Sequence, residues 1–293
     1  MINFLSSLRL VCLLLLGSSV LAQQKKQKPP VQETKAAVKK KVQTKFFGKK
    51  PIPFINTALT FAGPTTKIGR DGIQCDLPAA VSGKDGKALI SYLEWHGKTD
   101  RLILTRETEN GFQQVSGDVA KGVLHKPAIA IDGKGTAWIF WSETHGNTTV
   151  DLKARSWSAG KGFGSPLTLA DSDAAEAFVV AGTDSNGRVW ASWQSFRAGE
   201  ADIYARFLDP KSGKWSKEIA VATQQGGDWE PSIAFDQKGQ AWIVYDSSRG
   251  NEFNLNLARV NDQGQTREFA IAHSPKYEAR ASITTTAQGD GFW

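Results

Sequence analysis

Cysteine is nearly absent from this chain of 293 residues, which holds only Cys12 and Cys75. A disulfide-stapled scaffold and a zinc ribbon both need more thiols, so neither is available. Methionine occurs once, and histidine and tyrosine four times each. Beyond the first 22 residues no apolar run reaches the ~20 residues that a membrane-crossing helix needs. The sequence has no Gly-x-Ser-x-Gly elbow, no His-Glu-x-x-His motif and no phosphate-cradling glycine loop, so the commonest serine-hydrolase, zinc-protease and nucleotide signatures are missing. His96 and His145 stand far apart with no third clear ligand, so no metal and no cofactor are expected.

Tryptophan is the opposite case: ten are present, all from Trp95 onward, in a chain that is 40% hydrophobic and 22% charged. Such a composition describes a globular core rather than a disordered polymer. The net charge of +7 is unevenly spread, because residues 23–50 carry ten lysines against the single acid Glu33. The remaining folding part, 51–293, is faintly acidic, so no nucleic-acid partner is expected. Residues 1–22 read as a signal peptide, with Arg9 before the apolar stretch Leu10–Leu16 and Val20-Leu21-Ala22 at the cleavage point. The mature protein is then secreted or periplasmic, with Cys75 its only thiol. The Lys-rich segment 23–50 has too little apolar mass to offset ordering entropy and reads as a disordered linker. It acts as a spacer or as an electrostatic contact to an anionic envelope surface.

The organisation comes from an internal repeat. PAAVSGKDGKALISY from Pro78, PAIAIDGKGTAWIFW from Pro127, VVAGTDSNGRVWASW from Val179 and PSIAFDQKGQAWIVY from Pro231 share one pattern, and ASITTTAQGDGFW from Ala281 begins a fifth. The common glycines are Gly86, Gly135, Gly187, Gly239 and Gly289. Three residues later stand Leu89, Trp138, Trp190, Trp242 and Phe292, and six later Tyr92, Trp141, Trp193 and Tyr245. Each repeat continues into a segment ending in Arg106, Arg155, Arg206 or Arg259. Alternating apolar residues such as Ala137 to Trp141 fit strands, and the D-x-x-G turns at Asp132, Asp184 and Asp236 fit short hairpins. About four strands in ~50 residues is the size of one propeller blade. The fold class is therefore all-β, a β-propeller of four-stranded blades over 51–293: four full blades plus a partial fifth. The recurrent tryptophans are expected to fill the wedges between blades, and the third-strand arginines to tie blades together.

A complete six-bladed ring needs more blades than this. Either residues 51–70 fold back beside 281–293 and close a five-bladed ring, or the sequence is a fragment; the fragment is the expected case. From Pro231 to Gly239 and on through Asp246-Ser-Ser-Arg249-Gly250, the residues resemble the propeller repeat of the TolB family, a WD40-like repeat. The third repeat matches through Asp184, Gly187, Ser195, Arg197 and Ile203-Tyr204. More broadly, 194–280 resembles the propeller half of large secreted bacterial proteins of unknown function. The resemblance names a blade and implies no activity. Two departures matter: the repeat is longer than the TolB one, and the serines of the first two repeats are replaced by Glu94 and Glu143.

Propeller sites gather on one face, formed by the loops between second and third strands and by the loops leading into each blade. Ten residues past the glycine stand His96, His145, Arg197 and Arg249, and eight past it Glu94, Glu143, Ser195 and Ser247. The lead-in loops add Asp76, Lys126, Glu176, Trp229, Glu230, Glu278 and Arg280. One face is thus expected to carry cations interleaved with carboxylates, where Arg197 and Arg249 offer bidentate capture of an anion. The bland alternative is a polar rim. The leading expectation is a monomeric, non-catalytic exported propeller that binds an envelope protein or an anionic polysaccharide. The rival is a sialidase-like or other glycoside hydrolase with Glu94, Glu143 or Glu230 as acid or base. Against a sialidase, its S-x-D-x-G-x-x-W box puts Asp two before Gly, whereas Asp132, Asp184 and Asp236 stand three before it, and no arginine triad is placed. A third reading is an accessory to a catalytic domain not in this sequence.

Overall fold

The computed structural model describes residues 66–146, 149–249, 252–286 and 291–292. The leader, the Lys-rich segment and residues 51–65 of the fold-back segment 51–70 lie outside them, and 66–70 form no strand. Nineteen strands and no helix make up the described residues. The first blade is β1 (Gln74–Ser82), β2 (Ala88–Trp95), β3 (Asp100–Thr108) and an outer edge split into β4 (Gly111–Gln114) and β5 (Ala120–Gly122). The second is β6 (Leu124–Ile131), β7 (Ala137–His145), β8 (Thr149–Ser158), β9 (Gly162–Phe163) and β10 (Leu167–Ala170). The third is β11 (Glu176–Thr183), β12 (Val189–Ser195), β13 (Asp202–Asp209), β14 (Lys214–Trp215) and β15 (Ile219–Ala222). The fourth is β16 (Asp228–Phe235), β17 (Ala241–Ser247), β18 (Asn254–Val260) and β19 (Thr266–Ala272). All pairing within a blade is antiparallel, and the first strands of successive blades lie against one another as the inner strands of a propeller. In the second blade the outer edge breaks at Pro166, which cannot donate to a ladder. The fifth repeat contributes a bridge between Thr285 and Phe292.

The core is three wedges between blades rather than one centre. Leu89, Leu102 and Leu104 meet Ile129, Ile139 and Trp141 between the first and second blades. Phe140, Leu152, Val179 and Trp193 fill the next wedge, and Trp190, Ile203, Ile243, Tyr245 and Val260 the third. Trp141, Trp190 and Trp193 are fully buried, each contributing roughly 4–6 kcal/mol of transfer free energy before ordering entropy is charged against it. The glycine-plus-three aromatics reach across the seams as the repeat predicts. Trp138 meets Trp215 of the third blade edge-on at 5.6 Å, Trp190 meets Phe235 of the fourth at 6.2 Å, and Trp242 meets Phe292 at 5.1 Å. Arg155 and Arg206 also bridge seams: Arg155 donates to the Val119 carbonyl at 2.9 Å and Arg206 to the Leu169 carbonyl at 2.6 Å.

Each D-x-x-G turn is built around its aspartate. In the third blade Asp184 Oδ1 accepts the N–H groups of Asn186 (2.9 Å) and Arg188 (3.0 Å), and Oδ2 accepts the Trp190 indole N–H at 2.9 Å. Asp132 does the same for Lys134, Thr136 and Trp138, and Asp236 for Lys238, Gln240 and Trp242. Gly187 closes the turn at φ 75°, where a side chain would be strained. The turns then grip their neighbours. Gly133 N–H bonds Gly187 O at 2.9 Å, Arg188 donates to Gly239 O at 2.7 Å, and Ser185 donates to Gln237 O at 3.0 Å.

Removing one such aspartate should unfasten turn, wedge and seam together. Asp184→Ala leaves the buried Arg188, the Trp190 indole and two backbone N–H groups short of a partner, a loss expected at roughly 3–5 kcal/mol. Asp184→Asn, which keeps one acceptor oxygen, should cost less; equal urea midpoints for the two variants would contradict this account.

Candidate functional site

At the opposite end of each blade from these turns, a carboxylate sits between the first two strands, fully buried at Glu94, Glu176 and Asp228 and half-buried at Glu143. The cross-strand pairs are Cys75 with Glu94, Leu124 with Glu143, Glu176 with Ser195 and Asp228 with Ser247. One acid therefore occupies each pair, on the second strand in the first two blades and on the first strand in the next two. Cations and indoles converge on it. Glu176 accepts from Trp193 Nε1 (2.6 Å), Ser195 Oγ (3.0 Å), Arg197 (2.9 Å) and Ser172. Asp228 holds Arg249 at 3.0 Å, and Arg249 also reaches Glu268 at 2.7 Å. Glu94 takes Arg70, with His96 at 3.3 Å and Arg101 at 4.0 Å. Glu143 accepts the Trp141 indole at 3.0 Å, while His145 lies 3.9 Å from it and 3.5 Å from Asp151.

The electrostatics follow from burial and partner number. Burial pushes the Glu94 carboxyl up, but Arg70, His96 and Arg101 outweigh it and leave it below the usual carboxylate range. At Asp228 burial wins over Ser247 and Arg249, and the carboxyl sits above that range. Arg197 and Arg249, expected from the sequence as free anion hooks, are instead each shared between two carboxylates of their own blade. Arg197 is tied to Glu176 and Glu218 and lies over the Tyr204 ring at 4.2 Å.

A second feature lies two residues further along the first strands. Each inner strand slips register at one step: between Asp76 and Ala79, His125 and Ala128, Ala177 and Val180, and Trp229 and Ser232. The residue at that step is left-handed without being glycine at Leu77 (φ 51°), Phe178 (55°) and Glu230 (47°), and at the fifth repeat's equivalent, Arg280 (63°). Leu77 and Glu230 precede prolines, which favour extended backbone at that residue, so the strain there is doubled. Lys126, exposed in the second blade, is the exception. Two of these residues are held from the preceding blade: Gln194 Oε1 accepts the Glu230 N–H at 3.1 Å, and both Asp246 oxygens accept the Arg280 N–H at 2.8 Å. Gln194 and Asp246 occupy the position seven residues past the glycine, which reading the repeat for its cations passed over. Lining up Leu93, Ser142, Gln194 and Asp246 as a column would have marked it.

Trp229, Glu230, Asp246 and Arg280 thus meet where the fourth blade joins the fifth repeat. The Trp229 indole nitrogen is buried without a hydrogen-bond partner, and its ring lies so close over Gly227 that a Cβ there would come within 2.5 Å of it. Phe196 packs edge-on against Trp229 at 5.8 Å. Burial pushes the Asp246 carboxyl up; the Arg280 N–H opposes that, the Glu230 charge adds to it, and the result lies above the ordinary range. Glu278 donates its N–H to Phe253 O at 3.0 Å and accepts the Ser274 N–H at 3.3 Å. Asp76 is exposed and accepts the Leu77 N–H at 2.7 Å. The predicted site residues therefore divide in two: Glu94, His96, Glu143, His145, Arg197 and Arg249 in separate outer quartets, and Trp229, Glu230, Glu278 and Arg280 at one inner mouth. Two cavities lie apart from that mouth, one of about 490 Å³ beside Asp171–Ala174 and Arg197, the other of about 480 Å³ along Gly182, Thr183, Ser185, Ile233–Gln237 and Ile283–Thr286. The second carries little free chemistry, since Asp236 is committed to its own turn and to Trp242.

No family model matches the chain, and no curated protein sequence matches it. Solved structures do. An α-L-arabinofuranosidase of Fusarium graminearum in complex with an iminosugar inhibitor is 14% identical, with TM-score 0.53 over 75% of this chain and 73% of that one. An α-L-arabinanase of Penicillium chrysogenum complexed with arabinobiose is 10% identical, with TM-score 0.50 over 72% of each chain. The intramolecular trans-sialidase of Ruminococcus gnavus is 10% identical, with TM-score 0.51 over 74% of this chain and 72% of that one. The chain is a β-propeller. At such identities the likeness is one of fold alone, and nothing in it favours the TolB-type repeat over other blades.

Two outcomes test the two layers. Arg197→Glu should place a third carboxylate against the buried Glu176 and lower stability by roughly 3–5 kcal/mol; an unchanged urea midpoint would show that the quartet is ornamental. Asp246 binds its proton more tightly folded than unfolded, so it lowers stability as pH rises through the carboxylate range and keeps it lowered above. Asp246→Asn, whose oxygen still accepts the Arg280 N–H, should therefore raise the melting midpoint at pH ~7 by about 2–4 °C. That gain should vanish near pH ~3, where both carboxyls are neutral.

Proposed function

We propose that this propeller binds a hydroxyl-rich, uncharged glycan at the inner mouth formed by Gln194, Trp229, Glu230, Asp246 and Arg280. The observation that carries the reading is the pair Trp229–Glu230. Side by side, one buries an unpartnered indole N–H and the other holds a left-handed backbone before proline. Each costs on the order of 1–3 kcal/mol, and a fold in which five other indoles find carboxylate partners, Trp215 being a second buried one without, has little reason to keep both defects at one step unless the step is used. Aromatic faces and carboxylates are the groups that suit sugar rings and their hydroxyls, and the propeller neighbours named above include two bound to arabinobiose or to an iminosugar. An anionic glycan is the weaker fit, because the cations of the outer layer are engaged within their blades and Glu230, Asp246 and Glu278 outnumber Arg280. Export through the leader 1–22, a periplasmic or secreted location and action as a monomer belong to the same proposal. The TolB-type resemblance adds a blade pattern to it and no ligand.

A second reading, hydrolysis, has one observation in its favour: a buried carboxyl held above its usual range beside a second, charged one. That is the pattern of an acid and a base told apart by their surroundings. In such a reaction Asp246 would give its proton to the leaving glycosidic oxygen as the anomeric C–O bond breaks. A water would add to the anomeric carbon, its proton passing to Glu230.

Calorimetric titration of the full chain with arabinobiose, cello- and xylo-oligosaccharides, and polygalacturonate as the anionic comparison, tests both. Binding of a neutral probe that falls at least tenfold in Trp229→Ala and in Glu230→Gln is expected; preferential binding of polygalacturonate, or no binding of any neutral probe, overturns the proposal. Release of reducing ends by the parent that disappears in Asp246→Asn would make hydrolysis the correct reading.

A further inference from the structure

Among the described residues Tyr277 is the most exposed of the large apolar side chains, at 71%, and its setting differs from that of an ordinary loop residue. Its ring lies on Phe253 with centroids 5.1 Å apart and planes tilted by 46°. Phe253 itself is half-buried in the loop between β17 and β18 of the fourth blade. The loop that carries Tyr277, 273–280, is fastened on both sides of it. The Ser274 N–H bonds the Glu278 carboxylate at 3.3 Å, the Glu278 N–H bonds Phe253 O at 3.0 Å, and the Arg280 N–H bonds both oxygens of Asp246 at 2.8 Å. His273 is tied to Asn256 at 2.7 Å. Tyr277 is therefore a flat aromatic surface on a fixed support, held by hydrogen bonds that lead directly to Asp246 and Arg280 at the mouth.

Exposing such a face costs apolar hydration that a polar residue would avoid. Tyr277 covers Phe253 and still stands 71% exposed, so most of its aromatic surface meets solvent and not Phe253. Tyr and Trp suit a surface that meets a ring-shaped ligand, because they supply large rigid area at little rotamer cost and carry a polar tip.

We infer that Tyr277, seated on Phe253, is a further stacking subsite that takes a more distant sugar of the same chain whose first units occupy the mouth at Trp229 and Glu230. The inference rests on the glycan reading above and extends it: the ligand is a linear oligosaccharide longer than a disaccharide, running from the inner mouth outward over the fourth blade. An adjacent protein surface is the other class of occupant that an exposed tyrosine would suit, and the length of the sugar separates the two.

The test titrates the full chain with arabinobiose and arabinohexaose, or with the dimer and hexamer of whichever neutral sugar binds. The hexamer should bind the parent more tightly than the dimer. Tyr277→Ala should weaken the hexamer roughly three- to tenfold, the scale of one aromatic contact, and leave the dimer unchanged. Tyr277→Phe should keep most of the difference, because stacking needs the ring and not the hydroxyl. Equal affinity of dimer and hexamer in the parent, or a Tyr277→Ala variant that loses neither or loses both alike while its melting midpoint is kept, overturns the subsite and leaves the mouth standing. Loss of the mouth is read separately: if no neutral dimer or hexamer binds the parent, the glycan reading itself falls.

Discussion

The hydrogen bonds made by one aspartate in each of three blades carry more of this fold than any single apolar contact. Asp132, Asp184 and Asp236 each close a hairpin with one oxygen and fix a tryptophan with the other. Because the carboxylate is the acceptor for both, the turn cannot form in its native shape without placing the indole, and the indole fills the seam to the next blade. Local and long-range structure are thus decided by one side chain, and the agreement is repeated at fixed phase. The first blade shows what happens without it. Gly83 stands at the aspartate position, Leu89 replaces the tryptophan, and the turn is held by Asp85, whose oxygen accepts the Lys87 N–H at 3.2 Å while its carboxylate also pairs with Arg106.

The two ends of the blades are consequently unlike. At the turn end the backbone, the aspartates and the seam contacts satisfy one another. At the other end Glu94, Glu143, Glu176 and Asp228 all find donors, although Ser247 Oγ and Arg249 Nε stay buried without partners, and the inner strands slip register and hold non-glycine residues left-handed. Capping from the previous blade reduces the cost at Glu230 and Arg280 without removing it. Leu93 sits where an acceptor would be needed to cap Lys126, and Lys126 is the one member of the series that is not left-handed. At Glu230 and Arg280 a side-chain acceptor one blade away holds the unusual backbone in place, whereas Phe178 is left-handed although Ser142 Oγ, at the matching position, makes no hydrogen bond.

Most of the fold was legible because the repeat writes it more than once. A glycine at φ near 75° and an aspartate three residues before it identify the hairpin, and period-two alternation identifies the strands on either side. The split outer edges were less visible, since two-residue pieces such as Gly162–Phe163 and Lys214–Trp215 carry no periodicity. The candidate site was legible as a set of positions and illegible as a geometry. His96, His145, Arg197 and Arg249 do share one step of the repeat, as expected. What the step could not reveal is that each faces a carboxylate, because the acid changes strand halfway round: Glu94 and Glu143 lie two residues before their histidines, while Glu176 and Asp228 lie 21 residues before their arginines. A column-by-column reading sees Glu, Glu, Ser, Ser and reports a lost charge. The cross-strand pairing shows the charge conserved and moved.

That exchange also explains why the outer layer is a poor place to look for a ligand. A buried carboxylate that has lost its water must be given donors, and the blade spends its own cation and indole on it. Once Arg197 spans Glu176 and Glu218, an incoming anion would have to compete with two carboxylates, one of which, Glu218, is already in bidentate contact. The same residue types therefore mean different things at neighbouring steps of one strand. At one step they hold first strand to second. At the next, the buried Trp229 indole lacks an acceptor, and an unsatisfied group of this kind has the most to gain from a ligand's hydroxyls.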